Sequence, residues 1–98
     1  MTETKETVRY VGPVMRKGDI GEAVLDAIRE DNADGDVQVE EHASYLRIKV
    51  RGRCLIRLET VREMAGRDVT WSEVEADMPA FEGFIRTATE TMTFVSET

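Results

Sequence analysis

One short stretch constrains the fold more than any other, because its apolar period changes from that of a strand to that of a helix. The apolar residues before position 16 predict a strand with a turn at Gly12-Pro13, and Lys17-Gly18-Asp19 marks a second break. From Ile20 onward, apolar residues recur with the spacing of one helix face, while charged residues occupy the other. We therefore predict a strand followed by an amphipathic helix. The apolar helix positions are Ile20, Ala23, Val24, Ala27 and Ile28.

The predicted helix has a favourable start and an unfavourable end. Asp19 and Glu22 have the spacing of a capping box, in which side-chain oxygens accept the first free backbone N–H groups. The C-terminal end is acidic although the helix dipole is negative there, which costs about 0.3–1 kcal/mol per carboxylate before screening. A partner that supplies positive charge would explain this arrangement, and the alternative is a solvated, slightly strained helix end. The carboxylates are those of Glu30, Asp31, Asp34 and Asp36.

Three short strands follow this helix. Positions 37–40, 45–51 and 53–58 each alternate apolar and polar residues. The outward positions of the second and third strands are basic, so we expect two neighbouring strands with a basic face. Cross-strand pairing with Glu40 and Glu41 would make that face structural, whereas charge complementarity to a partner would make it a docking surface. The basic residues are Arg47, Lys49, Arg51, Arg53 and Arg57.

Two further capping boxes predict two more helices. Thr60-Val61-Arg62-Glu63 opens a short helix that stops at Gly66, and Thr70-Trp71-Ser72-Glu73 opens one that stops at Pro79. Two closing strands follow, on either side of a polar turn at residues 88–91. The predicted fold is α+β, with a mostly antiparallel sheet, three helices and the order βαβββααββ. The predicted core is Val14, Ile20, Val24, Ile28, Val39, Leu46, Ile48, Ile56, Leu58, Val61, Met64, Trp71, Val74, Phe84 and Phe94.

Length and charge bound the architecture and the partners. We predict one domain, residues 1–98, with flexible tails at 1–7 and 96–98. The formal charge of −7 argues against a nucleic-acid partner or an anionic membrane surface, and no apolar stretch has the length of a spanning helix. Cys54 is the only cysteine, which predicts a reducing cytoplasm and no disulfide.

The sequence carries few groups for catalysis. His42 is the only histidine, and no carboxylates have the ExxH spacing of a di-iron site. The glycine-rich phosphate loops and the nucleophile elbow of hydrolases have no counterpart in the sequence. We therefore expect no catalytic residue, no metal and no cofactor. The alternative is a small α/β ligand-binding or acid–base enzyme domain that uses His42.

Several motifs, taken in their order and spacing, carry a family resemblance over roughly residues 8–95. They are Val11-Gly12-Pro13-Val14-Met15-Arg16-Lys17-Gly18-Asp19, Asp31-Asn32, Tyr45-Leu46-Arg47-Ile48, Leu58-Glu59-Thr60-Val61, Gly66-Arg67 and the region 81–94. In this order they resemble the effector proteins of bacterial soluble di-iron monooxygenases, also called coupling or regulatory proteins. The variety that serves toluene, alkene and isoprene monooxygenases is the most similar.

The resemblance implies both architecture and function. It implies two merged lobes, βαββ and βααββ, that divide near Gly52. It also implies a non-catalytic protein that binds the di-iron α subunit of the hydroxylase and tunes substrate access and the coupling of NADH and O2 consumption to hydrocarbon oxidation. We expect a monomer when free.

The expected partner-binding residues come from the acidic helix end and from the basic strand. If these residues serve only the partner, Asn32→Ala and Asp31→Lys should change the folding free energy by no more than about 1 kcal/mol, as surface substitutions do. The six expected residues are Asp31, Asn32, Asp34, Gly35, Tyr45 and Arg47.

Overall fold

The computed structural model describes residues 9–97, which form seven strands and three helices. The predicted flexible tail at residues 1–7 lies outside the described residues, as does Thr98. Ser96 is held in place, because its backbone N–H donates to the carbonyl of Gly52 at 3.2 Å. The elements are β1 (Tyr10–Arg16), α1 (Asp19–Asp31), β2 (Val37–Glu41), β3 (Tyr45–Arg51), β4 (Arg53–Arg57), α2 (Leu58–Ala65), α3 (Trp71–Ala76), β5 (Ala80–Glu82), β6 (Phe84–Thr87) and β7 (Thr91–Val95).

The strands form two antiparallel sheets. The first has the order β2-β3-β1-β5 and the second has the order β4-β7-β6. The chain leaves the first sheet between β3 and β4, at Gly52, where the two predicted lobes divide. The lobes are merged because β5, which follows α3, returns to the first sheet and pairs with β1. The predicted α+β class with three helices is therefore confirmed.

The first of the two predicted closing strands is divided in two at Gly83. Residues before it pair with β1 in the first sheet, whereas residues after it pair with β7 in the second. Gly83 has a φ of 101°, and a Cβ atom there would lie 2.7 Å from Val11 Cγ1 and 2.8 Å from the carbonyl oxygen of Val95. The chain changes sheets at a residue that has no side chain, and the observed order is βαβββααβββ.

The predicted turn at Gly12-Pro13 is wrong, since β1 continues through both residues. The residue pairs with β3 lie on either side of them, at Val11 with Val50 and at Val14 with Arg47. Proline is rare in a central strand because it has no N–H to donate. Here Pro13 has no partner in β3 and pairs with Phe81 of β5.

Only one of the three predicted capping boxes forms. The hydroxyl of Thr70 accepts the N–H of Glu73 at 3.3 Å, and the carboxylate of Glu73 accepts the N–H of Thr70 at 3.1 Å. Asp19 and Thr60 do not cap, because Asp19 is the first residue of α1 and Thr60 the third residue of α2, whereas a cap must precede the helix. Gly66 ends α2 as predicted, in the left-handed conformation.

A single apolar core joins both lobes. Most of the predicted core residues are buried, but Met64 and Phe84 are 38% and 46% exposed. Phe84 is exposed because β6 is an edge strand with no buried residue, and Val39 and Trp71 are only partly buried. Within residues 9–97, no helix combines the length and the apolar composition that crossing a bilayer requires. The buried hydrophobic residues absent from the predicted core are Val11, Met15, Ala23, Leu25, Ala27, Val50, Cys54, Val69 and Met92.

Candidate functional site

The acidic end of α1 is a junction between the two lobes. The side-chain amide of Asn32 donates to the carbonyl of Leu55 at 2.8 Å, and its oxygen accepts the N–H of Leu55 at 3.0 Å. The same amide donates to the carbonyl of Ile28 at 2.7 Å. Leu55 belongs to β4, an edge strand of the second sheet. Asn32 therefore occupies the place of a neighbouring strand and satisfies backbone groups that an open edge would leave free.

Asp31 makes a second connection at the point where β4 becomes α2. One carboxylate oxygen accepts the backbone N–H of Arg57 at 2.8 Å, and the other accepts the hydroxyl of Thr60 at 2.8 Å. Arg57 is the N-cap residue of α2. A carboxylate next to a helix N-terminus is favoured by the dipole, which offsets the unfavourable position of Asp31 at the end of α1.

We call these contacts the lobe junction, formed by Asp31 and Asn32 with Leu55, Arg57 and Thr60. Both side chains are half-buried and are hydrogen-bonded within the chain, so they are not simple surface residues. This finding revises the expectation that Asn32→Ala and Asp31→Lys leave the folding free energy almost unchanged.

Asp34 and Gly35 differ from the two residues before them. Both are exposed, in the turn between α1 and β2. The N–H of Gly35 donates to the backbone carbonyl of Asn32 at 2.8 Å, so the lobe junction also holds the turn in place. Of the four expected partner-binding residues at the acidic end, two form side-chain hydrogen bonds within the chain and two are exposed to solvent.

The predicted basic face is divided between the two sheets. Arg47 and Lys49 lie on the outer side of β3 as expected, but Arg53 and Arg57 belong to β4 and to the other sheet. The reason is Gly52, where the chain leaves one sheet for the other. The basic residues of β3 and β4 therefore do not form one face of two neighbouring strands.

Cross-strand pairing explains part of the remaining basic surface. Lys49 Nζ lies 2.7 Å from Glu40 Oε2, and this hydrogen bond holds the pKa of Glu40 below its usual value. Lys17 Nζ lies 2.8 Å from Glu41 Oε2 and lowers the pKa of Glu41 in the same way. These two lysines are thus engaged by acidic residues of β2.

A cleft of about 480 Å³ lies at one end of the outer face of the first sheet. Strand register brings its walls together, because Val14 pairs with Arg47 on one side and with Ala80 on the other, while Arg16 pairs with Tyr45. The lining combines apolar residues with three cations. We call it the basic cleft, defined by Val14, Arg16, Lys17, Tyr45, Arg47 and Ala80.

Arg47 is poorly paired within this cleft. Its Nη1 lies 3.4 Å from Glu82 Oε2, which is long for a charged hydrogen bond. Its Nε is buried and has no hydrogen-bond partner among the described residues. A buried donor without an acceptor costs about 1–3 kcal/mol. Arg16, unlike Arg47, forms no ion pair with any carboxylate of residues 9–97.

Tyr45 connects the rim of the cleft to the single histidine. The two rings are stacked, with centroids 4.4 Å apart and an angle of 17° between their planes. His42 Nε2 lies 3.5 Å from Glu40 Oε1, and the backbone N–H of His42 donates to the carbonyl of Tyr45 at 2.9 Å. His42 is exposed and does not line the basic cleft, so these contacts give it a role in closing the β2–β3 turn.

The structure offers little to metal or thiol chemistry in the part of the chain that it describes. Within residues 9–97, no three residues among His, Cys, Asp and Glu are grouped closely enough to hold a metal ion. Cys54 is buried, and burial, together with the negative charge of Asp31, raises the pKa of its thiol to about 12. A thiol with that pKa is a poor nucleophile at neutral pH.

Comparison with known proteins assigns the chain to a family. The model of the MmoB/DmpM family matches residues 9–95. The chain belongs to this family. One relative, the effector subunit of the alkene monooxygenase system of Xanthobacter autotrophicus (strain ATCC BAA-1158 / Py2), is 37% identical over 73 residues, which cover 74% of this chain and 72% of that subunit.

Solved structures share the fold of this MmoB/DmpM chain. A chain from a structure of the phenol hydroxylase–regulatory protein complex aligns with a TM-score of 0.77 and 23% identity, covering 89% of this chain and 98% of that one. The soluble methane monooxygenase regulatory protein B aligns with a TM-score of 0.66 and 22% identity, covering 97% and 70%. At these identities the likeness concerns the fold. Together with the family match and the alkene monooxygenase relative, it confirms the predicted family of regulatory, non-catalytic monooxygenase components.

Sequence reasoning missed three residues of this region. Arg16, Lys17 and Glu82 meet Arg47 only through strand register and through the return of β5 to the first sheet. Arg16 and Lys17 belong to the first motif of the family resemblance, but basic residues before a turn are typical of ordinary exposed strand ends, so nothing in the sequence assigned them to a cleft with Arg47. For Glu82 the only signal was Gly83 next to it, since glycine inside a strand pattern indicates a break.

Proposed function

We propose that this chain is the effector subunit of a soluble di-iron monooxygenase, and that it binds the hydroxylase component and tunes its activity. The observation that carries the proposal is the family match over residues 9–95, and a relative named as an alkene monooxygenase effector, at 37% identity, supports it. One structural neighbour comes from a complex of a phenol hydroxylase with its regulatory protein. A hydroxylase is therefore the partner that we propose here.

An effector without chemistry of its own can act only through differential affinity. If it binds the oxygen-activating conformation of the hydroxylase more tightly than the resting one, it shifts the equilibrium toward that conformation. The free-energy difference between the two conformations changes by about 1.4 kcal/mol for each tenfold difference in affinity. A standard interface buries about 800 Å² per partner, which a domain of this size can supply. We propose that substrate access and the coupling of NADH and O2 consumption to hydrocarbon oxidation change through this shift.

We place the contact surface on the basic cleft and the α1–β2 turn rather than on the lobe junction. Tyr45 and Arg47 of the basic cleft, together with Asp34 and Gly35 of the α1–β2 turn, are the proposed partner-binding residues. The exposure of Asp34 and Gly35 and the incomplete pairing of Arg47, whose side chain is 38% exposed, support this choice. Asp31 and Asn32 then act indirectly, by holding the turn that presents Asp34 and Gly35.

We also propose that the chain works in a reducing cytoplasm and is a monomer when free. The single cysteine, Cys54, is buried and has no second cysteine with which to form a disulfide in the chain. Sedimentation equilibrium of the purified chain should give the mass of one copy.

The decisive experiment is reconstitution with the cognate hydroxylase, its reductase and NADH. Adding this chain should raise the amount of product formed per NADH consumed, up to a plateau at a fixed ratio of effector to hydroxylase. His42→Ala should behave as the wild type, because His42 closes a turn and performs no chemistry. Unchanged coupling on addition of the folded chain would refute the proposal, and loss of the effect in His42→Ala would favour the acid–base alternative.

A further inference from the structure

We propose that the basic cleft receives a carboxylate side chain of the hydroxylase. Glu82 pairs with Arg47 in the free chain, and the carboxylate of the hydroxylase displaces Glu82 on docking. The inference rests on the proposed function, since it names a contact in the proposed complex. Arg47 would exchange a weak partner in its own chain for a stronger one on the hydroxylase. Glu82 would then act as an internal competitor that tunes affinity.

The guanidinium of Arg47 has N–H donors that are not hydrogen-bonded among the described residues. Only one nitrogen, Nη1, approaches Glu82, and it does so at 3.4 Å, whereas two parallel hydrogen bonds are the strong arrangement for arginine and a carboxylate. Nε has no acceptor among residues 9–97. The side chain is 38% exposed and that of Glu82 is 42% exposed, so both can be reached from solvent and can move apart.

The surroundings of Arg47 favour an anion. Arg16 and Lys17 line the same cleft. Lys17 is paired with Glu41, whereas Arg16 has no ion pair among the described residues. Val14 and Ala80 supply apolar lining between these cations. A carboxylate there is partly shielded from water, which strengthens its attraction to the guanidinium.

The observations favour a protein carboxylate over other occupants. The cleft is open to solvent at the outer face of a sheet, and the ring of Tyr45 in its lining offers an aromatic surface on which a polypeptide can pack. A second copy of this chain is disfavoured by repulsion between two bodies with a formal charge of −7. Three cations in a chain of that charge are complementary to an acidic segment of the hydroxylase.

The test measures the affinity of the hydroxylase for four purified variants. Arg47→Gln should weaken binding about tenfold, because it removes the guanidinium, while Glu82→Gln should strengthen it about threefold, because it removes the competitor. The double variant should bind like Arg47→Gln alone. Arg29→Gln removes the same charge from the exposed face of α1 and should stay within about twofold of the wild type. Circular dichroism verifies that each variant is folded.

A conservative variant separates the guanidinium from its charge. Arg47→Lys keeps the charge and loses the planar fork, so its association rate should remain near that of the wild type while its dissociation becomes faster. This readout also serves if Arg47→Gln proves poorly folded. Equal dissociation rates for Arg47→Lys and the wild type would contradict a bidentate contact.

The outcomes distinguish this inference from the proposed function. Glu82→Gln that binds no more tightly than the wild type would overturn the exchange, and Arg47→Gln that matches Arg29→Gln would overturn the cleft as the receptor. In both cases a wild type that still binds and raises coupling leaves the effector function standing.

Two further results would assign the cleft to another occupant. If the chain forms a dimer that Arg47→Gln dissociates, the cleft binds a second copy. If inorganic phosphate at millimolar concentration binds the wild type but not Arg47→Gln, the cleft binds a small anion. Either result would overturn the proposal.

Discussion

The lobe junction and the basic cleft are both groups of charged or polar residues at the surface, but their hydrogen bonding is opposite. At the lobe junction the side-chain contacts of Asp31 and Asn32 lie between 2.7 and 3.0 Å, and all but the one to Ile28 connect one lobe to the other. In the basic cleft Arg47 makes one contact of 3.4 Å, and its Nε has no partner among the described residues. Crowded charge therefore does not by itself indicate a binding site; incomplete pairing distinguishes the two regions.

The largest expected effect is on folding, at Asn32. Asn32→Ala removes three hydrogen bonds and leaves both backbone groups of Leu55 without a partner in the chain, so it should lower the free energy of unfolding by about 2–3 kcal/mol. Asp34→Ala, two residues away and exposed, should change it by less than about 0.5 kcal/mol. Urea unfolding followed by circular dichroism measures both. Equal midpoints for the two variants would mean that the lobe junction does not stabilise the fold.

Asp31 should have the next largest effect. Asp31→Ala loses the contacts to the N–H of Arg57 and to the hydroxyl of Thr60, and we expect a loss of about 1–2 kcal/mol in the free energy of unfolding. Asp26→Ala is the matched control, since Asp26 is an exposed carboxylate on the same helix. If removing either aspartate had the same effect in urea unfolding, the contacts of Asp31 would contribute nothing beyond its charge.

Arg47 should show the reverse pattern. Arg47→Gln should change the free energy of unfolding by less than about 1 kcal/mol, because the one ion pair that Arg47 forms among residues 9–97 is long and its side chains are more than one third exposed. The same variant should weaken the complex with the hydroxylase, whereas Lys49→Gln, which breaks an ion pair beside it, should not. Thermal unfolding and binding measured on the same samples make the comparison. A large loss of stability in Arg47→Gln would place Arg47 with the lobe junction.

The smallest expected effect concerns Asp36, beyond the acidic helix end. The hydroxyl of Tyr10 donates to its carboxylate, and this hydrogen bond raises the pKa of Tyr10 above its usual value of about 10. The stabilisation is present below that value and is lost as the pH rises through the higher pKa of the folded state. Ultraviolet absorbance of phenolate should show one late-titrating tyrosine, which Asp36→Asn returns to the usual range. If the titration curve of Asp36→Asn equals that of the wild type, Asp36 does not form this hydrogen bond with Tyr10 and has no such role in the fold.

Much of the fold followed from periodicity. The stripe from Ile20 to Ile28 is buried and the alternation in β3 holds throughout, because one face of each element must leave water. The predictions failed where one position had several compatible roles. Thr60 fits a cap, yet its hydroxyl donates to Asp31 from inside α2, and Pro13 fits a turn, yet it lies in β1.

The sequence by itself determined the class of fold, the three helices, the single core and the family, because these depend on patterns within contiguous segments and on the order of motifs. Only the tertiary structure decided which charged residues are paired. Asn32 meets Leu55 and Arg47 meets Glu82 across 23 and 35 positions of the chain, and no local pattern specifies such contacts. Gly83 moves the chain between sheets, and the register of β1, β3 and β5 then sets Arg47 between Glu82 and an open cleft. Whether a charge is satisfied depends on the atoms that the fold brings within about 3 Å of it.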